Sequence, residues 1–297
     1  MPDLVLHDAK RNQNLHVRIF YPNDGGPYPV IVFSRGARAS ANCCDALTRH
    51  WATYGYITLQ PTRENTGLGE QMPGEETINF PMEPGEMAEA LPQGVNRSSR
   101  ADISLVLDSL DDVQYRVFAL AGQMNTQQIG VGGDDMATLA ADAVVGALGD
   151  LPGRTVAAYA DPRVKAVLLV SPQEAGNLGP NGESWGPSTL PVLSLTGSLK
   201  AGKSKLRPMV HESSLEPGQG GDKYQVVIQG VGQKSILSAH SFLPGHAKNK
   251  ISVLGYTKSA SLAFLDAYLK TDPRAKAYLQ SGALADLSHG AVRVTRH

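Results

Sequence analysis

The sequence predicts an α/β protein with a mostly parallel, doubly wound sheet and an antiparallel pair of strands at its N-terminal edge. Short runs rich in β-branched residues alternate with longer helical runs, which is typical of strands joined by helices that cover both faces of a sheet. Residues 129–141 have the pattern of a buried strand, a tight turn and an Ala-rich helix. With 297 residues the chain is long enough for one large core, and we expect a single domain over residues 1–297.

The predicted elements follow from hydrophobic periodicity and from the turn residues between them. The antiparallel edge consists of strands at 4–7 and 15–21, joined by a polar turn at 10–14. Further strands are expected at 28–34, 56–60, 128–132, 164–170 and 192–196, with 224–228 as the last strand. Helices are expected at 43–54, 97–110, 136–148, 252–269 and 274–279, and the tail 293–296 is expected to be a frayed end.

Two connections, 61–96 and 171–190, are longer than a compact domain needs between neighbouring elements. Loops of this length often serve as lids over a binding site. Solvated surface excursions explain them equally well.

The composition limits the classes of partner. The formal net charge of −1 gives no basic stripe for nucleic acid, and no apolar run reaches the roughly 20 residues that span a bilayer. The only cysteines, Cys43 and Cys44, are adjacent, so they form no ordinary disulfide framework, offer no metal-ligand spacing and are assigned to the core. We therefore expect a cytoplasmic protein that binds a small-molecule ligand or substrate, without metal or cofactor.

The turn at 133–137 has the steric pattern of a nucleophile elbow with an unusual residue at its tip. In the motif G-x-S-x-G, small residues flank the nucleophile because the sharp turn leaves no room for a bulkier side chain. Gly133 and Ala137 meet that requirement. The central position holds Asp135 in place of Ser or Cys.

Together with this turn, segments along nearly the whole chain resemble the α/β-hydrolase fold, and within it the dienelactone hydrolase and platelet-activating-factor acetylhydrolase-like esterases. The segments that carry the resemblance are 28–36, 50–56, 100–108, 161–167, 190–197 and 263–269. The resemblance implies a catalytic nucleophile, an acid and a histidine, in that order along the chain.

Each of these family positions is substituted here. The nucleophile position matches Asp135, the acid position after the Thr-Gly turn matches Lys200, and the histidine position matches Gln233. The His-Gly pair that the family places after its third strand is Arg35-Gly36, and the residue before the nucleophile is Asp134 in place of His.

These substitutions remove the chemistry of a serine esterase. A serine nucleophile needs a base, and the base needs an acid that stabilises its protonated form. Gln233 accepts no proton at neutral pH, and Lys200 would repel an imidazolium. The backbone N–H groups of Met136 and of the residue after Gly36 remain available as an oxyanion hole, because such a hole depends on backbone geometry.

Three functions are compatible with this pattern. The favoured one is a repurposed or non-hydrolytic member that binds a polar or anionic ligand through Arg35, Lys200, Gln233 and the backbone near Gly36 and Met136. The second is a hydrolase with Asp135 as covalent nucleophile, resembling haloalkane dehalogenases and epoxide hydrolases. It would need His240 or His246 to activate water. The third is an interaction protein in which Arg35, Asp135 and Lys200 form a closed, salt-bridged site.

Overall fold

The computed structural model describes residues 3–23, 25–35, 42–62, 93–134, 161–172, 189–199, 222–232, 236–237 and 253–296. These residues form nine β-strands, all in one sheet, and six α-helices. The strands are β1 (Asp3–Asp8), β2 (Gln13–Phe20), β3 (Tyr28–Ser34), β4 (Ile57–Thr62), β5 (Met124–Asp134), β6 (Val164–Val170), β7 (Val192–Leu199), β8 (Lys223–Gly232) and β9 (Val292–Arg296). The helices are α1 (Asp45–Thr53), α2 (Gln93–Asp108), α3 (Leu110–Arg116), α4 (Val253–Leu269), α5 (Pro273–Gln280) and α6 (Ala283–Leu287).

The strand order is β1-β2-β4-β3-β5-β6-β7-β8-β9. The six strands from β4 to β8 in this order are parallel, whereas β1, β2 and β9 pair antiparallel with their neighbours. The prediction of a mixed α/β fold with a mostly parallel sheet and an antiparallel N-terminal edge is confirmed.

Helices cover both faces of the sheet. Successive residues of a buried strand point to opposite faces, so each strand contributes to the core on both sides. On β3, Ile31 and Phe33 belong to a core cluster that also contains residues of α1 and α4. Val30 and Val32 belong to a second cluster, which contains residues of α2 and α3. We call the first face the α1 face.

The central strand β5 keeps small residues on the α1 face. A Cβ atom at Gly130 would lie 3.1 Å from a methyl carbon of Leu269, and one at Gly132 would lie 2.5 Å from the carbonyl oxygen of Leu168. Glycine therefore allows α4 and the neighbouring strand to approach β5 closely.

Most predicted elements are found, some with the predicted bounds and others with shifted ends. The strands at 28–34 and 164–170 have the predicted bounds, and β5 begins four residues earlier than predicted, at Met124. The predicted helix 97–110 is instead two helices, α2 and α3, separated at Ser109. The predicted loop 61–96 is shorter, because Pro61 and Thr62 extend β4 and α2 begins at Gln93. The predicted helix 136–148 and residues 63–92 and 173–188 of the predicted loops lie outside the described residues.

The expectation of a frayed tail, with 224–228 as the last strand, is wrong. Residues Val292–Arg296 form β9, which pairs antiparallel with β8. The alternation of Val292 and Val294 with Arg293 and Thr295 is an edge-strand pattern, and Val292 is buried. Burial of these valines outweighs the usual tendency of a chain end to fray.

Candidate functional site

The candidate site lies at the carboxyl end of the parallel strands, between β3 and β5. The chain continues from β3 to β4 on one side and from β5 to β6 on the other, so the order of connection reverses between these two neighbours. In open α/β sheets, ligands bind outside the carboxyl ends of the strands at this switch point.

Two charged residues stand at the switch point. Asp134 is the last residue of β5, and Arg35 directly follows β3. Strand alternation carries both to the α1 face, in line with Phe33 and Gly132. Arg35 is only 7% exposed and Asp134 only 9%. A buried cation and a buried carboxylate thus lie on neighbouring strand ends.

The turn before α1 brings two thiols to Asp134. Cys44 is the N-cap residue of α1, and its carbonyl oxygen accepts hydrogen bonds from the backbone of Leu47 and Thr48. The sulfur atoms of Cys43 and Cys44 are 3.2 Å apart. Each sulfur lies within 4.8 Å of a carboxylate oxygen of Asp134. We call Arg35, Cys43, Cys44 and Asp134 the switch-point cluster.

The pKa values of Cys43 and Cys44 differ because their thiols share one hydrogen bond. This bond lowers the pKa of Cys43, against the opposing effects of burial and of Asp134. The same bond, together with burial, raises the pKa of Cys44 well above its usual value. Burial lowers the pKa of Arg35, and a negative charge on either thiol would raise it. The proton states of the cluster are therefore linked.

An ion pair fixes the start of α1 to the sheet. Arg18 on β2 makes two parallel hydrogen bonds to the carboxylate of Asp45, at 2.9 and 2.8 Å, and a third to Asn42 at 3.1 Å. Paired contacts of this kind fix orientation as well as distance. Since Asn42 and Asp45 flank the two cysteines, Arg18 positions the thiols over the strand ends.

The buried amide of Gln60 lies beside Arg18 on the α1 face of the sheet. Gln60 on β4 pairs in register with Arg18, so both side chains leave the sheet on the α1 face. Gln60 is fully buried, and in the described part of the chain neither its amide nitrogen nor its amide oxygen has a hydrogen-bond partner. A buried amide without a partner costs about 1–3 kcal/mol, so this side chain favours a site that takes up a polar molecule.

A separate cleft of about 310 Å³ opens at the opposite end of the sheet. It is lined by residues at the amino ends of β5 and β6, including Arg163 and Asp108. Arg163 pairs with Asp108 at 2.7 Å and with Asp161 at 2.6 Å. Because these charges neutralise one another, the switch-point cluster is the better candidate despite the size of this cleft.

Among the residues predicted to form the site, the structure places Arg35 at the switch point. Gly36, Asp135, Met136, Lys200 and Gln233 lie outside the described residues, as do His240 and His246. Asp135 directly follows the last residue of β5 in the sequence.

Sequence reasoning missed that Cys43, Cys44 and Gln60 belong to the site. Cys44 does pack in the core as expected, and Cys43 packs against it. The local spacing of the cysteines gave no sign that Asp134, 90 residues further on, meets them. The position of the cysteines in the connection between β3 and α1, on the side of the sheet where ligands bind, was the signal that could have identified them.

No helix in the described ranges has both the length and the apolar character needed to cross a membrane. The chain matches no protein-family model and no curated protein sequence.

Proposed function

We propose that this chain is an α/β-hydrolase-like protein without a Ser-His-Asp triad, and that it binds a small polar or anionic molecule at the switch point. The proposal combines the family resemblance of the sequence with two structural features, the switch-point cluster and the buried amide of Gln60. The antiparallel N-terminal edge supports the hydrolase-like fold, as does the central place of β5, which contains the first two residues of the turn predicted at 133–137.

The buried guanidinium of Arg35 is the observation that carries the proposal. Transfer of a cation from water to a site that is 7% exposed costs free energy unless negative charge or hydrogen-bond acceptors surround it. Cys43 and Cys44 contribute to this compensation when their thiols carry negative charge. An anionic ligand at the same strand ends would add to it, and the guanidinium donates in the fork geometry that suits carboxylates and phosphates.

Gln60 adds to the argument for a polar ligand. Its amide offers two donors and an acceptor on the same face as Arg35. A ligand that hydrogen-bonds to this amide would remove the cost of burying it unpaired.

The direct test measures binding of small carboxylates, inorganic phosphate and phosphate monoesters to the full-length protein by calorimetry at low ionic strength. We expect at least one of them to bind with one-to-one stoichiometry. Arg35→Gln should lower its affinity by more than about tenfold, because a charged hydrogen bond contributes about 1.5–3 kcal/mol. Arg274→Gln is the matched control, since that side chain is 90% exposed and lies on α5, away from the strand ends. Binding to wild type and to Arg35→Gln with equal affinity would refute the proposal, and failure of the whole set to bind would favour a closed, salt-bridged site.

A second candidate function is a hydrolase with Asp135 as nucleophile. It is favoured by the end of the central strand β5 at Asp134, because Asp135 is the next residue in the sequence. A carboxylate at the tip of an elbow can attack carbon and form an ester that water must then hydrolyse.

This candidate is tested with short-chain aryl esters, lactones and haloalkanes. Turnover that Asp135→Ala abolishes and Arg274→Gln preserves would establish it. Replacement of His240 or His246 by Gln should then trap the ester intermediate, visible as a mass increase of the protein. Absence of turnover by the wild-type protein would reject this candidate and leave the binding function in place.

A further inference from the structure

We infer that Cys43, Cys44 and Asp134 form a binding site for a thiophilic divalent cation of the zinc class. This inference goes beyond the proposed function, because it depends on the three donor atoms alone and not on a ligand at Arg35. It also differs from the sequence-based expectation, which saw no metal-ligand spacing in the cysteine pair.

The donor atoms are close to a coordination geometry. The two sulfurs are 3.2 Å apart, and each lies within 4.8 Å of an Asp134 oxygen. Around a tetrahedral zinc ion, with Zn–S near 2.3 Å and Zn–O near 2.1 Å, the donor atoms lie about 3.6–3.8 Å apart. Small side-chain rotations therefore suffice, and Cys43, which is partly exposed, has room to make one.

The chemistry of the donor set selects the class of cation. Two thiolates and one carboxylate suit zinc, whereas magnesium and calcium prefer oxygen donors alone. Three protein ligands leave a fourth position, as in zinc sites that also bind water or a small molecule. Arg35 lies near both thiols, so a small anion at that fourth position would lie near a positive charge.

The charge of the cluster favours exchange of protons for a cation. With both thiols protonated, Arg35 and Asp134 balance each other. Two thiolates add two negative charges, and a divalent cation restores the balance. Since a buried site tolerates little net charge, the cation replaces protons without a large electrostatic cost.

Release of the thiol protons determines how this exchange depends on pH, because the cation binds the thiolate form of each cysteine. Displacement of two protons makes the affinity rise by up to about 100-fold per pH unit. If Cys43 has already lost its proton, the dependence falls to about tenfold per pH unit.

The experiment titrates Co²⁺, as a spectroscopic substitute for Zn²⁺, into the full chain after reduction and removal of metal. We expect one equivalent to bind with thiolate-to-cobalt charge-transfer absorption in the near ultraviolet, and Zn²⁺ to displace it. Protons released should number between about one and two per cation, measured as the dependence of the binding heat on the ionisation enthalpy of the buffer.

Variants distinguish this site from adventitious ligands elsewhere on the chain. Cys43→Ala should abolish the charge-transfer band, and Asp134→Asn should weaken the affinity by more than about tenfold while retaining the band. Asp112→Asn is the control, because that carboxylate is half-exposed on α3 and, within the described part of the chain, forms an ion pair only with Arg116. Circular dichroism establishes that each variant is folded.

Two results would overturn the inference. One is a folded, fully reduced wild-type chain that shows no thiolate charge transfer with excess Co²⁺. The other is a charge-transfer band that survives in Cys43→Ala, since the site would then not use both thiols. Neither result depends on small-anion binding at Arg35, so failure here and failure of the proposed function can be told apart.

Discussion

The indole nitrogen of Trp51 donates a hydrogen bond to the hydroxyl oxygen of Ser261 at 3.0 Å, and both residues are fully buried. The bond joins α1 to α4 across 210 residues of sequence. Trp51 also meets Phe33 edge-on, with ring centroids 5.2 Å apart, just before β3 ends. These contacts hold the helix whose N-cap is Cys44 against the strand that leads to Arg35, so they position the switch-point cluster.

Ser261→Ala should lower the free energy of unfolding by about 1–3 kcal/mol, because the Trp51 indole N–H then remains buried without its acceptor. Urea denaturation measures this. Ser259→Ala, at an exposed position of the same helix, should change stability by less than about 0.5 kcal/mol, because the 3.4 Å contact of its hydroxyl with the Tyr278 hydroxyl is long and exposed to solvent. Equal effects of the two substitutions would mean that helix propensity, and not the hydrogen bond, determines the result.

Gln60→Met should raise the stability of the ligand-free protein by about 1 kcal/mol. The substitution removes a buried amide that has no hydrogen-bond partner in the described part of the chain and keeps a similar volume. Thr257→Val is the control, since the Thr257 hydroxyl is also buried but donates a hydrogen bond to the carbonyl oxygen of Ile236 at 3.1 Å, so this variant should be destabilised. The same Gln60→Met protein should bind the proposed anion more weakly. A loss of stability in ligand-free Gln60→Met would show that the amide is already satisfied in the free protein.

The sequence was sufficient to predict most of the sheet, because buried parallel strands are continuous apolar runs that need no distant information. Residues 28–34 and 164–170 are examples, and their predicted bounds are those observed. The edge strand β9 was missed because its alternating pattern is short and lies at the chain end. Arg35 was identified because it occupies the His position of the His-Gly pair that the hydrolase family places after its third strand. The thiol–carboxylate cluster was not, because Cys43 and Asp134 meet only through the neighbouring places of β3 and β5 in the sheet order.

Gly132→Ala should destabilise the protein by about 3 kcal/mol or prevent its folding. The added Cβ atom would lie 2.5 Å from the carbonyl oxygen of Leu168 and 2.9 Å from the ring of Phe33, and a strand backbone cannot move away easily. Gly232→Ala is the matched strand control, because its nearest neighbour would be a carbonyl oxygen at 3.8 Å. Thermal unfolding of both variants is the measurement. A Gly132→Ala protein as stable as Gly232→Ala would mean that β5 is packed less tightly than the structure shows.

Asp222 should contribute stability that is lost in acid. Burial opposes its ionisation, but hydrogen bonds from Lys276, Tyr268 and Arg296 outweigh that effect and lower its pKa from 3.8 to about 2. A carboxyl group with a lowered pKa stabilises the fold above the pKa of the unfolded chain and loses this effect as the pH falls through the folded value. The stability difference between wild type and Asp222→Asn should therefore be largest above about pH 4 and shrink towards pH 2. Urea denaturation across this range tests it, and a difference independent of pH would contradict the assignment.

Iodoacetamide should label Cys43 much faster than Cys44 at neutral pH. Cys43 is partly exposed and the hydrogen bond from Cys44 lowers its pKa, whereas Cys44 is buried and its pKa is raised. The thiolate is the reactive form, so the rate at Cys43 reports this hydrogen bond.

Cys44→Ala removes the donor and should slow labelling of Cys43 severalfold and move the midpoint of the pH–rate profile upwards. Cys44→Ser keeps an O–H donor and should preserve most of the rate. Peptide mass spectrometry measures both rates. Equal labelling of Cys43 in Cys44→Ala and Cys44→Ser would show that its acidity comes from Arg35 or the start of α1 and not from the neighbouring thiol.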